Sequence, residues 1–197
     1  MSGLILASGS AIRATVLRNA GLSFDVVKAR VDEEAVKAGL RAQTLRPRDQ
    51  ADVLAEVKAL SVARTRPGFV IGADQMLALG EDVFDKPADR AGARAHLQRL
   101  SGQTHELLSA CVIARDGEVI WRHIETPRLT MRPLSADFIE TYLDAVGEAA
   151  FASVGAYQLE GLGAQLFDRI QGDYFSILGL PLLPVLRFLR AHGIVAT

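Results

Sequence analysis

Five residues in a row, Phe69-Val70-Ile71-Gly72-Ala73, carry no polar side chain, and Asp74-Gln75 follow at once. A strand with one wet face alternates apolar and polar residues. A run this continuous is buried on both faces, which calls for helices over a sheet with parallel strands. Pro67-Gly68 stops the helical pattern before it. The predicted class is α/β: a mixed, twisted sheet flanked by helices, with antiparallel strands from the second half forming the other of two lobes around a cleft.

In open α/β sheets ligands collect beyond the carboxyl ends of the strands. A second apolar strand, Leu4-Ile5-Leu6-Ala7, ends in Ser8-Gly9-Ser10-Ala11-Ile12-Arg13, after which Ile12, Val16, Leu17 and Ala20 recur at helical spacing up to a capping Gly21. Small hydroxyl residues, a glycine, a helix N-terminus and an arginine suit an anion such as phosphate; the same pattern also serves plain N-capping. Neither the P-loop pattern nor the three-glycine dinucleotide fingerprint is present.

Further along, strands are predicted at 24–27, in a hairpin at 76–79 and 83–84, and in two long stretches, 106–115 and 118–131, turning at Asp116-Gly117. Two more fall around 165–170 and 174–178. The acidic stretch Val31-Asp32-Glu33-Glu34 opens a ligand-type loop with some helix, and a long helix covers about 49–64, with Lys58 beside Leu54. Helices follow through Ala93, Leu97 and Leu100, at 135–143, and from a first-turn Pro181 through Leu182, Val185, Leu186 and Leu189. The stretch 147–163 is glycine-rich and carries Tyr157, Gln158 and Glu160; His105 is read as capping a turn beside a strand.

With 197 residues, 49% of them hydrophobic, the chain suits one compact α/β domain or two small lobes sharing a core. A net charge of -1 gives no footprint for duplex nucleic acid or an anionic membrane, so any phosphate site is local. No stretch nears the roughly 20 apolar residues of a spanning helix. The one cysteine, Cys111, lies in an apolar run, reads as core and fits a reducing cytoplasm.

Three basic groups, Arg13, Lys58 and Lys86, and two carboxylates, Glu33 and Asp74, form a kit for hydrolysing a nucleoside triphosphate. The cations neutralise phosphate oxygens. Hard carboxylate oxygens hold a magnesium ion that bridges them, and one carboxylate orients or deprotonates the attacking water.

Read in order, these positions resemble the Maf-like nucleoside triphosphate pyrophosphatases, which are related in fold to the inosine triphosphate pyrophosphatases. The matching pieces are Leu-Ala-Ser-Gly-Ser with Arg13, Val31-Asp32-Glu33, Lys58, Gly72-Ala73-Asp74, Lys86-Pro87, Ser101-Gly102 with His105, Gly155-Ala156-Tyr157, 160–164, Gly172-Asp173-Tyr174 and Gly179-Leu180-Pro181-Leu182. The resemblance implies cleavage between the α- and β-phosphates with Mg²⁺, or Mn²⁺, in a cytoplasmic homodimer. It implies that Ser8, Ser10 and Arg13 hold phosphates, that Glu33 and Asp74 serve metal and water with Asp74 as base, and that Lys58 and Lys86 stabilise phosphate charge.

In the family's pattern, base choice rests on the positions occupied here by Ile12, Gln75 and Glu160. The 7-methyl-GTP branch has Trp, Gln and Glu there; the dTTP and UTP branch has Arg, Thr and Gln. Two of three match the former, and a carboxylate at 160 can accept from guanine N1–H and its amino group. Ile12 lacks the aromatic face, and Ala11 stands where proline is common. The alternatives are a dTTP/UTP pyrophosphatase and a nucleotide-binding regulator of division or septum formation that does not turn over.

Overall fold

A computed structural model describes residues 3–196. In chain order the elements are β1 (Leu4–Ala7), α1 (Ala11–Asn19), β2 (Asp25–Val26), α2 (Glu33–Ala42), α3 (Pro47–Ala63), β3 (Phe69–Leu79), β4 (Asp82–Phe84) and α4 (Arg90–Leu100). There follow β5 (Thr104–Arg115), β6 (Glu118–Glu125), β7 (Arg128–Met131), α5 (Ala136–Val146), three short 3₁₀ segments between Gly147 and Leu166, β8 (Phe167–Gln171), α6 (Tyr174–Ile177) and α7 (Leu182–Ala191). The strands make a mixed open sheet flanked by helices, as the Phe69 run requires. Among the described residues no helix is long and apolar enough to cross a membrane.

The chain separates into two compact units, the first made of Met1–Gln75, Ser109–Glu125 and Asp173–Thr197. Here β1 runs parallel to β2, with Leu6 opposite Val26, and parallel to β3, with Ala7 opposite Gly72. The latter part of β5 pairs antiparallel with β6 across the Asp116-Gly117 turn. Leu6, Leu17, Ile71, Cys111, Ile113, Leu180, Val185 and Leu189 fill the core. Burial pushes the Cys111 thiol up to about 12, which leaves it an unreactive core residue. After α1, Gly21 N–H donates to the Arg18 carbonyl and Leu22 N–H to that of Leu17, the paired bonds of a Schellman stop.

The second unit comprises Met76–Leu108 and Thr126–Gly172. The end of β3 pairs with β4, and the start of β5 pairs with β7, which pairs with β8; all three pairings are antiparallel. Arg90 and Arg94 on α4 both hold Glu140 on α5.

Four elements depart from expectation. The stretch 118–131 is two strands, because Pro127 between them has no N–H for a ladder while its carbonyl accepts from Leu107 N at 3.0 Å. Residues 174–177 are helix and not strand: the Asp173 carboxylate caps the turn, accepting from both N–H and Oγ of Ser176 at 2.7 Å. Pro181 caps α7 one residue before its first turn. His105 caps no turn; it lies within β5, fully buried, with Nε2 2.7 Å from the Tyr157 hydroxyl and its ring against Phe167.

Burial holds the His105 imidazole in its neutral form, lowering its pKa from 6.5 to about 4. The unfolded chain takes a proton there that the folded one refuses. Stability therefore declines as pH falls from about 6.5 to about 4, by up to on the order of 3 kcal/mol, and levels off below. Urea unfolding of His105→Gln across that window is expected to show a shallower pH slope than wild type; an identical slope contradicts the assignment.

Candidate active site

The first unit gathers most of the candidate residues, and the gathering starts with small side chains. Ala51, Ala55, Ala59 and Ala63 recur every fourth residue along α3, all buried, giving a flat face. Opposite it stands Gly72, where an added Cβ would lie 2.3 Å from the Ala55 carbonyl oxygen and 2.6 Å from the Ala59 nitrogen. Only glycine lets the helix backbone come that close to the strand. Residues two apart share a strand face, so Asp74 is on the same side as Gly72 and meets the next side chain on the helix, Lys58.

Lys58 and Asp74 are both 7% exposed, with Lys58 Nζ 2.7 Å from Asp74 Oδ1. A second carboxylate completes the cluster: Nζ is 2.8 Å from Glu33 Oε2, whose side chain remains 46% exposed. Glu33 is the first residue of α2, placed there by the Asp32 cap, whose Oδ1 accepts from Ala35 N at 3.1 Å. Helix, strand and helix N-terminus thus each deliver one charged group to one point. The acidic stretch expected mainly as loop is this helix start, and α3 itself begins at Pro47, a favoured first-turn residue.

Arg13 is anchored to the backbone on two sides. Its Nε donates to the Gly179 carbonyl at 2.8 Å and its Nη1 to the Ala73 carbonyl at 2.9 Å, which leaves Nη2 as the remaining donor of the fork. Burial lowers the guanidinium's pKa, against the opposing pull of Asp74, Cys111 and Glu33; an arginine so placed stays charged. Gly179 has φ +92°, and a Cβ on it would sit 3.2 Å from Arg13 Nε, so neither the backbone nor the contact admits a larger residue. Ser8 Oγ accepts from Ser10 N at 3.1 Å and from Arg13 Nη1 at 3.4 Å, leaving its hydroxyl hydrogen to donate. Ser10 caps α1 through a long 3.5 Å contact to Arg13 N, so the N-capping reading of the serine-rich turn holds.

Gln75 is locked by its amide nitrogen. Nε2 donates to Ser109 Oγ at 2.8 Å and to the Ser176 and Ile177 carbonyls at 3.0 Å each, while Ser109 Oγ spends its own hydrogen on the Ser176 carbonyl at 2.6 Å. All three partners accept, so the orientation of the carboxamide is fixed and its Oε1 is left as an acceptor. Ile12 is half-buried on α1 in this same unit.

Two candidate residues belong to the second unit. Lys86 is exposed between β4 and α4, next to buried Pro87, and Glu160 is exposed in a turn between 3₁₀ segments. The structure also adds residues that sequence reading left without a role: Ser109, Ser176 and Gly179. Ser109 had a signal, a lone hydroxyl in the apolar run from Leu107 to Ala114; the Gly179 contact spans 166 positions and had none.

Gly72→Ala is expected to push α3 off β3 and lower stability by about 1–3 kcal/mol, read by chemical denaturation. A wild-type midpoint would show that the close approach is not needed.

The family model described as Maf-like protein matches residues 3–192. A relative from Hyphomonas neptunium named nucleoside triphosphate pyrophosphatase is 57% identical over 192 residues, covering 98% of this chain and 97% of the relative. One from Mesorhizobium japonicum named 7-methyl-GTP pyrophosphatase is 55% identical, with the same coverage of both chains. A Caulobacter vibrioides relative named nucleoside triphosphate pyrophosphatase is 52% identical, again over 98% of this chain. The protein belongs to the Maf-like family.

Proposed function

We propose that this chain is a nucleoside triphosphate pyrophosphatase, hydrolysing the α–β anhydride to a nucleoside monophosphate and pyrophosphate. The observation that carries the reading is the Lys58 ammonium held at 2.8 and 2.7 Å between Glu33 and Asp74, next to an arginine anchored on the carbonyl of Ala73. The names of relatives at 52–57% identity support it.

In this reading the Ser8 hydroxyl, the N-terminus of α1 and Arg13 Nη2 bind phosphate oxygens. Asp74 takes a proton from water as the water oxygen bonds to phosphorus, and the bridging oxygen leaves with pyrophosphate. Lys58 holds Asp74 in place and offers positive charge to the phosphate chain, with Lys86 a second such cation. Glu33 and Asp74 are hard oxygen donors sharing one cation, a set that suits Mg²⁺ or Mn²⁺ arriving with phosphate oxygens to complete its shell. Among the described residues no group of three or more potential ligands stands ready-made, which fits a metal brought by the nucleotide. When bound, that metal neutralises phosphate charge.

For the base, the family's pattern points to Gln75, with its fixed Oε1 acceptor, and to Glu160, a carboxylate of the type that accepts from the N1–H and amino donors of guanine and favours the positive charge of a 7-methylated ring. We therefore favour 7-methyl-GTP as substrate. Ile12 keeps a second reading in view, since it forgoes a stacking or cation–π contribution of about 0.5–2 kcal/mol and leaves dTTP or UTP as the competing substrates. Cytoplasmic location and homodimeric assembly accompany the proposal, as does the absence of duplex nucleic acid or a membrane among its partners.

Pyrophosphate release with Mg²⁺ is expected to be faster on 7-methyl-GTP than on UTP. Asp74→Asn, which keeps the shape and removes the charge, is expected to slow it by about 10²–10⁴-fold in a variant that still folds, with a lowered unfolding midpoint because Lys58 is left with Glu33 as its one carboxylate. Undiminished turnover by the folded variant rejects Asp74 as base, and a preference for UTP rejects the choice of substrate.

A further inference from the structure

The charged groups clustered in the first unit cancel. Arg13 and Lys58 supply two positive charges, Glu33 and Asp74 two negative ones, and both cations already spend donors on protein oxygens. A triphosphate brings several negative charges to this point, so the first unit needs a cation beyond these two. The strand order supplies one. Because β2 runs parallel to β1 and Val27 N–H donates to the Leu6 carbonyl at 3.0 Å, the residue after Val27 emerges beside the end of β1, where the Ser8-Gly9-Ser10 turn begins.

That residue is Lys28. It is exposed, and its Cγ and Cε both lie 4.0 Å from where a Cβ on Gly9 would stand, so its stem runs along the open glycine of the turn. Neither a hydrogen bond nor an ion pair holds its ammonium among the described residues. An amphipathic side chain in this setting covers the turn with its methylenes and keeps the charge at the tip. Gly9 carries no side chain that would separate that charge from a ligand on the turn.

We infer that Lys28 is a further substrate-binding residue, whose ammonium binds the polyphosphate chain on the outer side of the Ser8-Gly9-Ser10 turn. This rests on reading the turn as a phosphate cradle. The contact is with phosphate alone, so it favours triphosphates over monophosphates without regard to the base.

Calorimetric binding of inorganic pyrophosphate and of a nucleoside monophosphate, by wild type, Lys28→Met and Lys28→Arg, tests this without turnover. Lys28→Met is expected to weaken pyrophosphate binding roughly tenfold and leave the monophosphate within about twofold, with Lys28→Arg restoring most of the loss. In steady-state assays the same variant is expected to raise KM for the triphosphate more than it lowers kcat. Equal pyrophosphate affinity in wild type and Lys28→Met overturns the inference, as does parallel weakening of both ligands or no pyrophosphate binding by wild type. Should pyrophosphate binding depend on Lys28 while no triphosphate is hydrolysed, the inference stands and the pyrophosphatase reading falls.

Discussion

A lysine ammonium 7% exposed to water can remain charged only if the protein replaces its hydration, and here two carboxylates do so within 2.8 Å. That requirement organises the first unit. It needs α3 close enough to β3 for Lys58 to reach Asp74, hence glycine at 72 and alanine at every fourth helix position; it needs the α2 N-terminus turned inward, hence the Asp32 cap that starts the helix at Glu33. Removing one partner of such a buried pair strands the other charge, typically at about 3–5 kcal/mol. The cluster is therefore costly to build as mere structure, and its outer carboxylate, Glu33, stays half-exposed.

Around this point the polar side chains are fastened through backbone carbonyls. Arg13 is tied to Gly179 and Ala73, and Gln75 to Ser176 and Ile177, so β3, α6 and the loop after it are joined where Arg13, Asp74 and Gln75 gather. Rigid donors and acceptors lose little entropy when a substrate docks and hold their direction when charge develops. The Gln75 amide is fixed in the same way: its nitrogen is spent on Ser109, Ser176 and Ile177, and its oxygen is the atom left to accept.

Much of this was legible beforehand because its cause is local. The Phe69 run declares a strand buried on both faces, the serine-rich junction a capped helix, and Cys111 a core position; all three are found as expected. Where signals competed, the short-range reading failed. Phe175-Ser176-Ile177 alternates like a strand, yet Asp173 with Ser176 three residues on is a stronger helix-capping signal. His105 looked like a turn residue because its partner, Tyr157, lies 52 positions away. The alanine stripe on α3 was readable in principle and marks a close approach, but only Gly72 across from it explains why it is there.

The bond that is broken tests the account most directly. Phosphorus NMR of 7-methyl-GTP incubated with the wild-type protein and Mg²⁺ identifies the products without assuming any residue's role. The account predicts 7-methyl-GMP and pyrophosphate in equal amounts from the first turnover. Orthophosphate with 7-methyl-GDP, or an unchanged triphosphate spectrum at high enzyme concentration, would contradict it.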